Sequence, residues 1–473
     1  MSTMSAAPYQ APPNGWRTFV IVWVTQSVSV FGSALTQFAI TIWLTTTLYP
    51  NPEQKPQLAW AISSWALAFA IPTVFAAPLA GAYVDRHDRK RTMIAMDLAN
   101  GVLSTVILLL IVTRRFNLPE LIVIGALSAA FGAFHNAAFD TSYAMLVPEA
   151  RLPRANAMMQ TIFSLAGILS PGLAALLISL PALARQGNLP AFAAGLGQIP
   201  DGAALAIGAD ALTFFLASVA PVFLFIPSPK RTDLHTESGG TKSLWADVRE
   251  GALYIWHRRS FLWLLGTFTV GNFAGGAMVL QPLIVKFQLA ADWTARGFTM
   301  ESALALLATI GSVGGVLGGL AVTAWGGLKR RRVYAVLGAL AISGLAEIVF
   351  GLSPWLFLAA AGAFFMEGLI PMMNSHSQTI WQIQTPREMQ GRVFSVRRLI
   401  AQFTWPLSNF VMGALASAFD PGMIVAVLGA ILTAWCLAGF FNPYLMRVED
   451  RDWIEAQALK NAGLASTPET GCE

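Results

Sequence analysis

Twelve long apolar runs, separated by charged or Pro/Gly-rich segments, constrain this chain more than any other feature of its sequence. A membrane-spanning helix needs about 20 mostly apolar residues. The runs cover residues 17–48, 58–82, 93–113, 118–147, 154–182, 204–227, 261–289, 300–326, 333–353, 355–385, 391–418 and 423–445. Because lipid offers the backbone no hydrogen-bond partner, such runs predict an all-α integral membrane protein with twelve transmembrane helices.

The composition excludes a soluble protein and several classes of site. Only 12% of the 473 residues are charged, against about 25% in an ordinary globular domain. Cys436 and Cys472 give neither a disulfide framework nor a metal-ligand spacing. Gly240-Thr-Lys242-Ser243 lacks the spacing of a phosphate-binding loop. We therefore expect no cofactor, no metal site and no enzymatic activity.

The basic residues sort to one side of the predicted membrane. Of the 30 Lys and Arg residues, 22 lie in connections on one face, 6 lie on the other, and Arg397 and Arg398 lie just inside the eleventh run. The positive-inside rule makes the richer face cytoplasmic, and an even number of spans puts both termini there. This sorting explains the net charge of +5 without a nucleic-acid partner. We expect a bacterial plasma-membrane protein.

The longest cytoplasmic connection divides the runs into two groups of six. It ends in an amphipathic stretch, residues 244–258, that predicts an interfacial helix. A basic turn follows both the second and the eighth run, which suggests duplication and two pseudo-symmetric six-helix bundles. The predicted segments are a disordered leader 1–16, a bundle 17–227, a linker 228–260, a bundle 261–446 and a cytoplasmic tail 447–473.

The loop between the second and third runs resembles the signature loop of the major facilitator superfamily. It reads Gly81-x-x-x-Asp85-Arg86-x-x-Arg89-Lys90-Arg91. The glycine would permit close helix contact, the aspartate would cap a helix, and the basic residues would hold the turn against cytoplasmic carboxylates. We expect its partners to be Glu149 and the start of the eleventh span around Arg392. The resemblance implies the major facilitator fold, with this loop governing conformational switching.

Three further stretches, residues 146–157, 245–259 and 391–395, resemble drug–proton antiporters of the macrolide-efflux and siderophore-export type. One stretch departs from that pattern. Exporters often carry a Gly-x-x-x-Gly-Pro-x-x-Gly-Gly motif in span 5, where this chain has Ala166-x-x-x-Ser170-Pro171-x-x-Ala174-Ala175. Small residues preserve close helix packing there without the glycines.

Ionisable side chains inside spans cost roughly 2.5–3.5 kcal/mol each at mid-membrane, so each needs a reason. The resemblance implies that spans 1, 4, 7 and 10 line a central cavity. Glu367 in span 10 and Asp140 in span 4 are therefore predicted to carry protons. The alternative is a structural carboxylate, paired with Arg397 or Arg398 or hydrogen-bonded to a neighbouring helix. We expect Asp210 to be structural, Asp97 to join the ion pairs of the basic loop, and Glu347 to reach water at the outer end of span 9.

Polar and aromatic side chains on the same spans predict a substrate cavity suited to an amphipathic or bulky organic solute. Its predicted residues are Gln26, Ser33, Gln37, Asn136, Asn272, Gln281, Asn374, His376, Gln378 and Trp381. Hydrogen bonding between helices is the alternative for each amide, and a hydrogen-bonded helix histidine is the alternative for His376. The Gly-x-x-x-Gly stripes of span 8, residues 311–319, predict close helix packing.

These features lead to a first hypothesis, a monomeric proton-coupled exporter of a hydrophobic or amphipathic compound that works by alternating access within membrane lipids. A lipid or lysolipid flippase, or an importer, is a second hypothesis, and a cavity open sideways to lipid would favour the flippase. A non-transporting membrane sensor or scaffold is a third, which a cavity filled by bulky apolar side chains would favour.

Overall fold

The computed structural model describes residues 12–84, 87–148, 151–226 and 244–461. Within these ranges the secondary structure is helical and contains no strand. Twelve helical segments are long and apolar enough to cross a membrane. The expectation of an all-α protein with twelve transmembrane helices is therefore confirmed.

The described chain forms two units, and residues 12–50 and 64–226 make up the first. Its helices are α1 (Gly15–Trp43), α2 (Lys55–Val84), α3 (Arg89–Val112), α4 (Leu118–Leu146), α5 (Leu152–Arg185) and α6 (Ala203–Val222). A π-helical turn, Leu44–Leu48, extends α1. Residues 51–63, which include the start of α2, group with the second unit.

The second unit also contains residues 244–461. Its first helices are α7 (Leu244–His257), α8 (Arg259–Gly275), α9 (Gln281–Leu283), α10 (Ala290–Ala295) and α11 (Met300–Trp325). They are followed by α12 (Arg332–Leu352), α13 (Leu356–Gln384), α14 (Arg387–Ala418), α15 (Pro421–Gly439), α16 (Pro443–Met446) and α17 (Arg451–Asn461). The seventh span is irregular, because a 3₁₀ turn, Gly276–Leu280, separates α8 from α9 and a π-helical turn, Ile284–Gln288, ends it.

Glycines bring helices of the first unit into close contact. A Cβ added to Gly32 in α1 would collide with Thr213 of α6, and one added to Gly101 in α3 would lie 2.9 Å from the ring of Phe215. By contrast, a Cβ added to Gly81 would meet no atom of the described residues within 4 Å. Among those residues the glycine of the basic loop therefore makes no close helix contact of the kind that its motif predicts.

The glycines of span 8 form a packing surface, as predicted. A Cβ on Gly314 or Gly318 of α11 would collide with the backbone carbonyl of Phe364 or Gly368 in α13. Gly315, on the neighbouring stripe, lies further away, since its Cβ would be 3.7 Å from the nearest atom. Backbone contact between α11 and α13 thus depends on one of the two stripes.

The predicted interfacial stretch forms α7, whose side chains up to residue 248 lie outside the described residues. The helix packs on α14, because a Cβ on Gly251 would lie 2.5 Å from the Arg392 carbonyl oxygen. Ile255 is buried in the core of the second unit. Arg258, at the end of α7, pairs with Glu455 of α17 at 2.7 Å. The linker helix and the start of the tail are therefore parts of the second unit.

Candidate functional site

A cavity of about 540 Å³ lies inside the second unit. Side chains of α8, α12, α13, α14 and α15 and of the turn after α8 surround it. Its polar lining consists of Asn272, Ser343, Glu347, Glu367, Asn374 and Asn409. Its apolar lining includes the aromatic and sulfur-containing side chains Phe268, Met278, Met366, Met373 and Trp405. Ligand pockets in proteins typically enclose about 300–1,000 Å³ and combine apolar walls with a few polar groups.

Two carboxylates face this cavity. Glu367 of α13, the predicted proton carrier, is exposed to it and makes no hydrogen bond or ion pair within the described chain. Glu347 of α12 is 2% exposed, and its Oε2 is buried without a hydrogen-bond partner among the described residues. The expectation that Glu347 reaches water at the outer end of its span is wrong. Its side chain turns into the cavity, where α12 packs against α13 and α15.

Amide side chains supply most of the other polar groups. Asn272 and Asn374, both predicted from sequence, line the cavity. Asn409 of α14, which is 7% exposed, lines it too but was not predicted. An amide in an otherwise apolar segment could have indicated it, but the resemblance implies that spans 1, 4, 7 and 10 line the cavity, and Asn409 lies in span 11. Each amide can both donate and accept a hydrogen bond, so the three can orient a bound molecule.

A smaller cavity of about 110 Å³ shares Phe268, Asn272 and Asn374 with the larger one. Trp381 and Arg397 line its far side. Arg397 donates from Nη1 to Gln378 Oε1 at 2.6 Å, and its guanidinium lies 5.4 Å from the centre of the Trp381 ring.

Trp381 is 1% exposed and stacks on Phe261 with ring centroids 4.7 Å apart. Gln378 and Trp381 therefore hold Arg397 beside the smaller cavity. Neither of them lines the larger cavity. Among the described residues Arg397 thus contacts an amide and a ring, and the side chain of Arg398 lies outside them.

Two predicted residues of the second unit lie away from the larger cavity. Gln281 is partly buried and is not among its lining residues. His376 is 3% exposed and fastens the loop after α11. Its Nε2 accepts a hydrogen bond from the Leu328 N–H at 2.8 Å, so its Nδ1 donates to the Met372 carbonyl at 2.7 Å. Nε2 thus holds the loop, and Nδ1 fixes the ring against its own helix, α13.

In the first unit, the predicted cavity residues Gln26 and Ser33 bind buried acids. Gln26 donates to Asp97 Oδ2 at 2.9 Å, and His135 Nδ1 lies 3.0 Å from Asp97 Oδ1. Asp97, 1% exposed, therefore bonds to α1 and α4, whereas we expected it to pair with the basic loop.

The second buried acid is Asp210 of α6. It accepts hydrogen bonds from Thr36 and Ser104, both at 2.9 Å, and from Ser33 at 3.4 Å. These three hydroxyls come from α1 and α3, so Asp210 links three helices. Its predicted structural role is consistent with this placement.

The other predicted cavity and proton-carrying residues of the first unit lie at least partly exposed on their helices. Asn136 and Asp140 on α4 are exposed, and Gln37 on α1 is partly buried. Asp140 and His135 are close enough to interact electrostatically. The structure thus places Asp140 next to the buried Asp97–His135 pair.

The basic loop is only partly visible, because Asp85, Arg86 and Glu149 lie outside the described residues. Its basic residues Arg89, Lys90 and Arg91 form the first turn of α3. Asp88 caps that turn by accepting a hydrogen bond from the Arg91 N–H at 2.8 Å. An aspartate at this end of a helix also offsets the positive charge nearby.

The three described basic residues of the loop differ in burial and in hydrogen-bond partners. Arg89 is buried and donates to the Thr141 carbonyl of α4 at 3.0 Å. Lys90 donates to the carbonyls of Val222 and Leu224 at the end of α6, at 2.8 and 3.0 Å, where the helix dipole favours a cation. Arg91 is exposed.

Arg392, which we expected near this loop, pairs with Glu250 of α7 at 2.6 Å. The partnership of Arg392 with the basic loop stays a prediction, since Asp85 and Arg86 lie outside the described residues. No group of three or more His, Cys, Asp or Glu residues in the described ranges could hold a metal ion.

Known proteins match this chain over most of its length. Residues 22–408 match the Major Facilitator Superfamily. Macrolide efflux protein A of Streptococcus pyogenes is 26% identical over 407 residues, which cover 85% of this chain and 90% of that one. The multidrug efflux pump Tap of Mycolicibacterium fortuitum is 25% identical over 398 residues, 82% of this chain and 87% of its own.

The fold matches a solved structure as well. A bacterial homologue of the human lysosomal transporter Spinster, in an inward-facing and unoccupied conformation, superposes with a TM-score of 0.60 at 14% identity and covers 97% of this chain and 100% of its own. Twelve apolar helices and a superfamily match that spans most of the sequence agree with this likeness. This multi-pass membrane protein therefore belongs to the Major Facilitator Superfamily of transporters.

Proposed function

We propose that this transporter exports a hydrophobic or amphipathic organic compound in exchange for protons, by alternating access. The observation that carries the proposal is the cavity of the second unit, with two carboxylates that lack hydrogen-bond partners in the described chain. The matched efflux proteins, one for macrolides and one for several drugs, support export as the direction.

The lining suits such a compound for physical reasons. Two aromatic rings and three methionines form part of the apolar wall, and the flexible thioethers of methionine adapt to solutes of different shape. Three asparagines provide directional hydrogen bonds on this apolar background. A volume of about 540 Å³ accommodates an organic molecule or a large part of one.

The carboxylates of this cavity can bind protons as well as solute. An unpaired carboxylate inside a membrane protein is costly, and either a proton or a bound solute can relieve that cost. If the two compete for Glu367, solute leaves when a proton arrives, which is the requirement for exchange. We propose Glu367 as the main proton carrier and Asp140, exposed on α4, as a second one.

Proteoliposomes with an imposed pH gradient test this function. The probes are the macrolide erythromycin and the dye ethidium. Wild-type protein should accumulate at least one of them against its gradient. Glu367→Gln should abolish accumulation while counterflow without a pH gradient persists, and Asp140→Asn should reduce it. Glu53→Gln, which changes an exposed glutamate in the short turn before α2, is the matched control and should behave as wild type.

Two outcomes would contradict the proposal in different ways. Accumulation that ignores the pH gradient for both probes would refute proton coupling. Coupling that survives in both Glu367→Gln and Asp140→Asn would leave the function standing and remove the two residues from it.

The native cysteines allow a test of the proposed location, a bacterial plasma membrane with cytoplasmic termini. Cys436 is fully buried, so a membrane-impermeant maleimide should react with Cys472 in the tail. Labelling is expected in everted vesicles and not in right-side-out cells. Cys472→Ser should abolish it. The opposite sidedness would reverse the orientation.

A further inference from the structure

The first unit contains a buried ionisable pair that the cavity does not use. We propose that Asp97 and His135 form a second proton-binding site, separate from the cavity of the second unit. Its coupling to transport rests on the proposed function, whereas proton binding itself does not.

The geometry gives one ring nitrogen of His135 a fixed role and leaves the other for a proton. Nδ1 donates to Asp97 Oδ1 at 3.0 Å, and Gln26 fills the other carboxylate oxygen from α1 at 2.9 Å. His135 Nε2 has no hydrogen bond in the part of the chain that the structure describes, although 11% of the side chain is exposed. Nε2 is therefore the atom at which a proton arrives.

Charge counting explains why the pair should take up this proton. With a neutral imidazole the pair carries one net negative charge, because Asp97 is then a carboxylate. A proton on Nε2 makes an imidazolium beside the carboxylate, and the net charge becomes zero. A neutral pair is less costly than a net charge among buried helices, where solvation is weak.

Loading the proton keeps the heavy-atom hydrogen bonds in place. Nδ1 still donates to Asp97 and Gln26 still donates to Oδ2, so α1, α3 and α4 stay connected in both states. The site can consequently bind and release a proton without unfolding its surroundings. Asp140 lies one helical turn further along α4, where it can pass protons between His135 and the surface of the helix.

Of the other ionisable groups around the pair, Asp140 is close enough to interact with His135, and several of the rest have partners of their own. Ionisable groups within about two turns on α3 and α4 are, besides the pair itself, Arg89, Lys90, Arg91, Asp140 and Tyr143. Arg89 donates to Thr141, and Lys90 to the end of α6. Asp210 of α6 is held by hydroxyl groups. Helix α5 has ionisable side chains only near its two ends.

The same two helices provide a matched control. Ser128 of α4 donates to Asn100 Oδ1 of α3 at 2.8 Å, about one turn from Asp97 along α3. This hydrogen bond links the helices as the Asp97–His135 bond does, but neither of its partners ionises. Ser128→Ala therefore removes a comparable link between the helices and leaves the proton site intact.

Nuclear magnetic resonance of ring-labelled histidine measures the proton directly. The full chain has five histidines, and the resonance missing from His135→Gln belongs to His135. Between about pH 5 and about pH 8 this resonance should shift. In Asp97→Asn its midpoint should move by about tenfold or more in proton concentration, since an adjacent carboxylate alters protonation on that scale. In Ser128→Ala the midpoint should stay where it is.

A His135 resonance that does not change over this range, or that titrates identically in wild type and Asp97→Asn, would overturn the proposal. Glutamine at position 135 and asparagine at position 97 keep hydrogen-bonding groups of similar size, which favours folding. Should His135→Gln fail to fold, comparing the histidine spectra of wild type, Asp97→Asn and Ser128→Ala still decides the matter.

Transport in the same proteoliposomes tests the coupling. His135→Gln and Asp97→Asn should lose erythromycin accumulation down to the level measured without a pH gradient, while counterflow persists. Ser128→Ala should keep both. Unchanged accumulation in both pair variants would refute the coupling role alone. If wild type shows no pH-driven accumulation, the proposed function fails, and the resonance titration still decides whether the pair binds a proton.

Discussion

In the first unit, Asp210 accepts hydrogen bonds from Thr36 and Ser104 at 2.9 Å. In the second unit, Glu347 has a buried Oε2 without a hydrogen-bond partner among the described residues. Both acids are 2% exposed and both lie on spanning helices. The two units therefore accommodate the same kind of group in opposite ways.

The difference separates acids that hold helices together from acids that can bind something else. A carboxylate supplied with hydroxyl donors recovers most of the free energy lost on leaving water. A carboxylate without donors keeps that cost, and it can be reduced only by a proton or by a ligand. Burial alone does not distinguish the two cases, whereas the count of hydrogen-bond donors does.

The largest effect should come from removing the acid that has partners. Asp210→Ala deprives three hydroxyl groups of their acceptor. At about 0.6 kcal/mol for each interhelical hydrogen bond, it should lower the free energy of unfolding by about 2 kcal/mol. Unfolding by SDS in mixed micelles measures this change. Thr36→Val, which removes one donor, should cost about a third as much. A stable Asp210→Ala protein would show that these hydrogen bonds are not what holds α1, α3 and α6 together.

Replacing Glu347, the acid without a hydrogen-bond partner, should stabilise the protein rather than destabilise it. Glu347→Met fills a similar volume without the carboxyl group, so it should raise the free energy of unfolding by about 1–2 kcal/mol, less than the full insertion cost of a charge. It should also lower pH-driven accumulation of erythromycin, because the cavity loses one of its two acids. Unfolding and transport assays on the same preparation measure both effects.

Ser343→Ala is the matched control for Glu347→Met. Ser343 lies one turn earlier on α12 and lines the same cavity, but it does not ionise. It should change neither stability nor coupling appreciably. A destabilised Glu347→Met protein would mean that Glu347 has a structural partner, and the contrast with Asp210 would then fail.

A smaller effect is expected at His376, a polar residue that serves the fold of the second unit. His376→Ala removes the acceptor of the Leu328 N–H and should weaken the loop after α11 by about 1 kcal/mol. That corresponds to about fivefold faster trypsin cleavage at the basic residues 329–332. His376→Gln, which can still accept the hydrogen bond, should restore most of the protection. Equal cleavage rates in all three proteins would contradict this role.

The fold was largely predictable because lipid imposes its length and its polarity on each helix. All twelve predicted runs match spanning segments, and the main shift at the basic loop is the start of α3 at Arg89 rather than at residue 93. Here the basic residues form a helical turn, since Asp88 caps it. Apolar length cannot reveal a cap, which depends on one side-chain oxygen.

The site was less predictable because its hydrogen bonds join distant parts of the sequence. Gln26 and Ser33 lie seven positions apart on α1, yet their partners are 71 and 177 residues away, on different helices. Periodicity gives the face of a helix but not the residue opposite. For the same reason Glu347 was expected at the membrane surface, whereas Glu367, Asn272 and Asn374, which were expected at a cavity, line that of the second unit.

The smallest effect is expected at an acid outside the spans, where water rather than lipid surrounds the protein. Asp292 of α10 accepts hydrogen bonds from Arg296 and from the Leu356 N–H at the start of α13, both at 2.9 Å. The Arg296 hydrogen bond first, and the backbone hydrogen bond second, hold the pKa of Asp292 below its usual range. An acid with a lowered pKa in the folded state adds stability above its unfolded pKa of about 3.9, and that stability is lost as the pH falls through the folded value.

Asp292→Ala should therefore melt at a slightly lower temperature than wild type at pH 7, and the two melting temperatures should converge as the pH drops below about 3.9. Thermal unfolding in detergent across this range measures the difference. Arg296→Gln removes the larger cause of the pKa shift. In that background, the melting temperatures of proteins with and without Asp292→Ala should converge at a higher pH. A difference that stays constant down to the lowest pH would assign the effect to lost packing, because only an ionised Asp292 can produce convergence. Since water solvates this carboxylate in the unfolded chain, its partners add less here than the hydroxyl groups add to Asp210 inside the membrane.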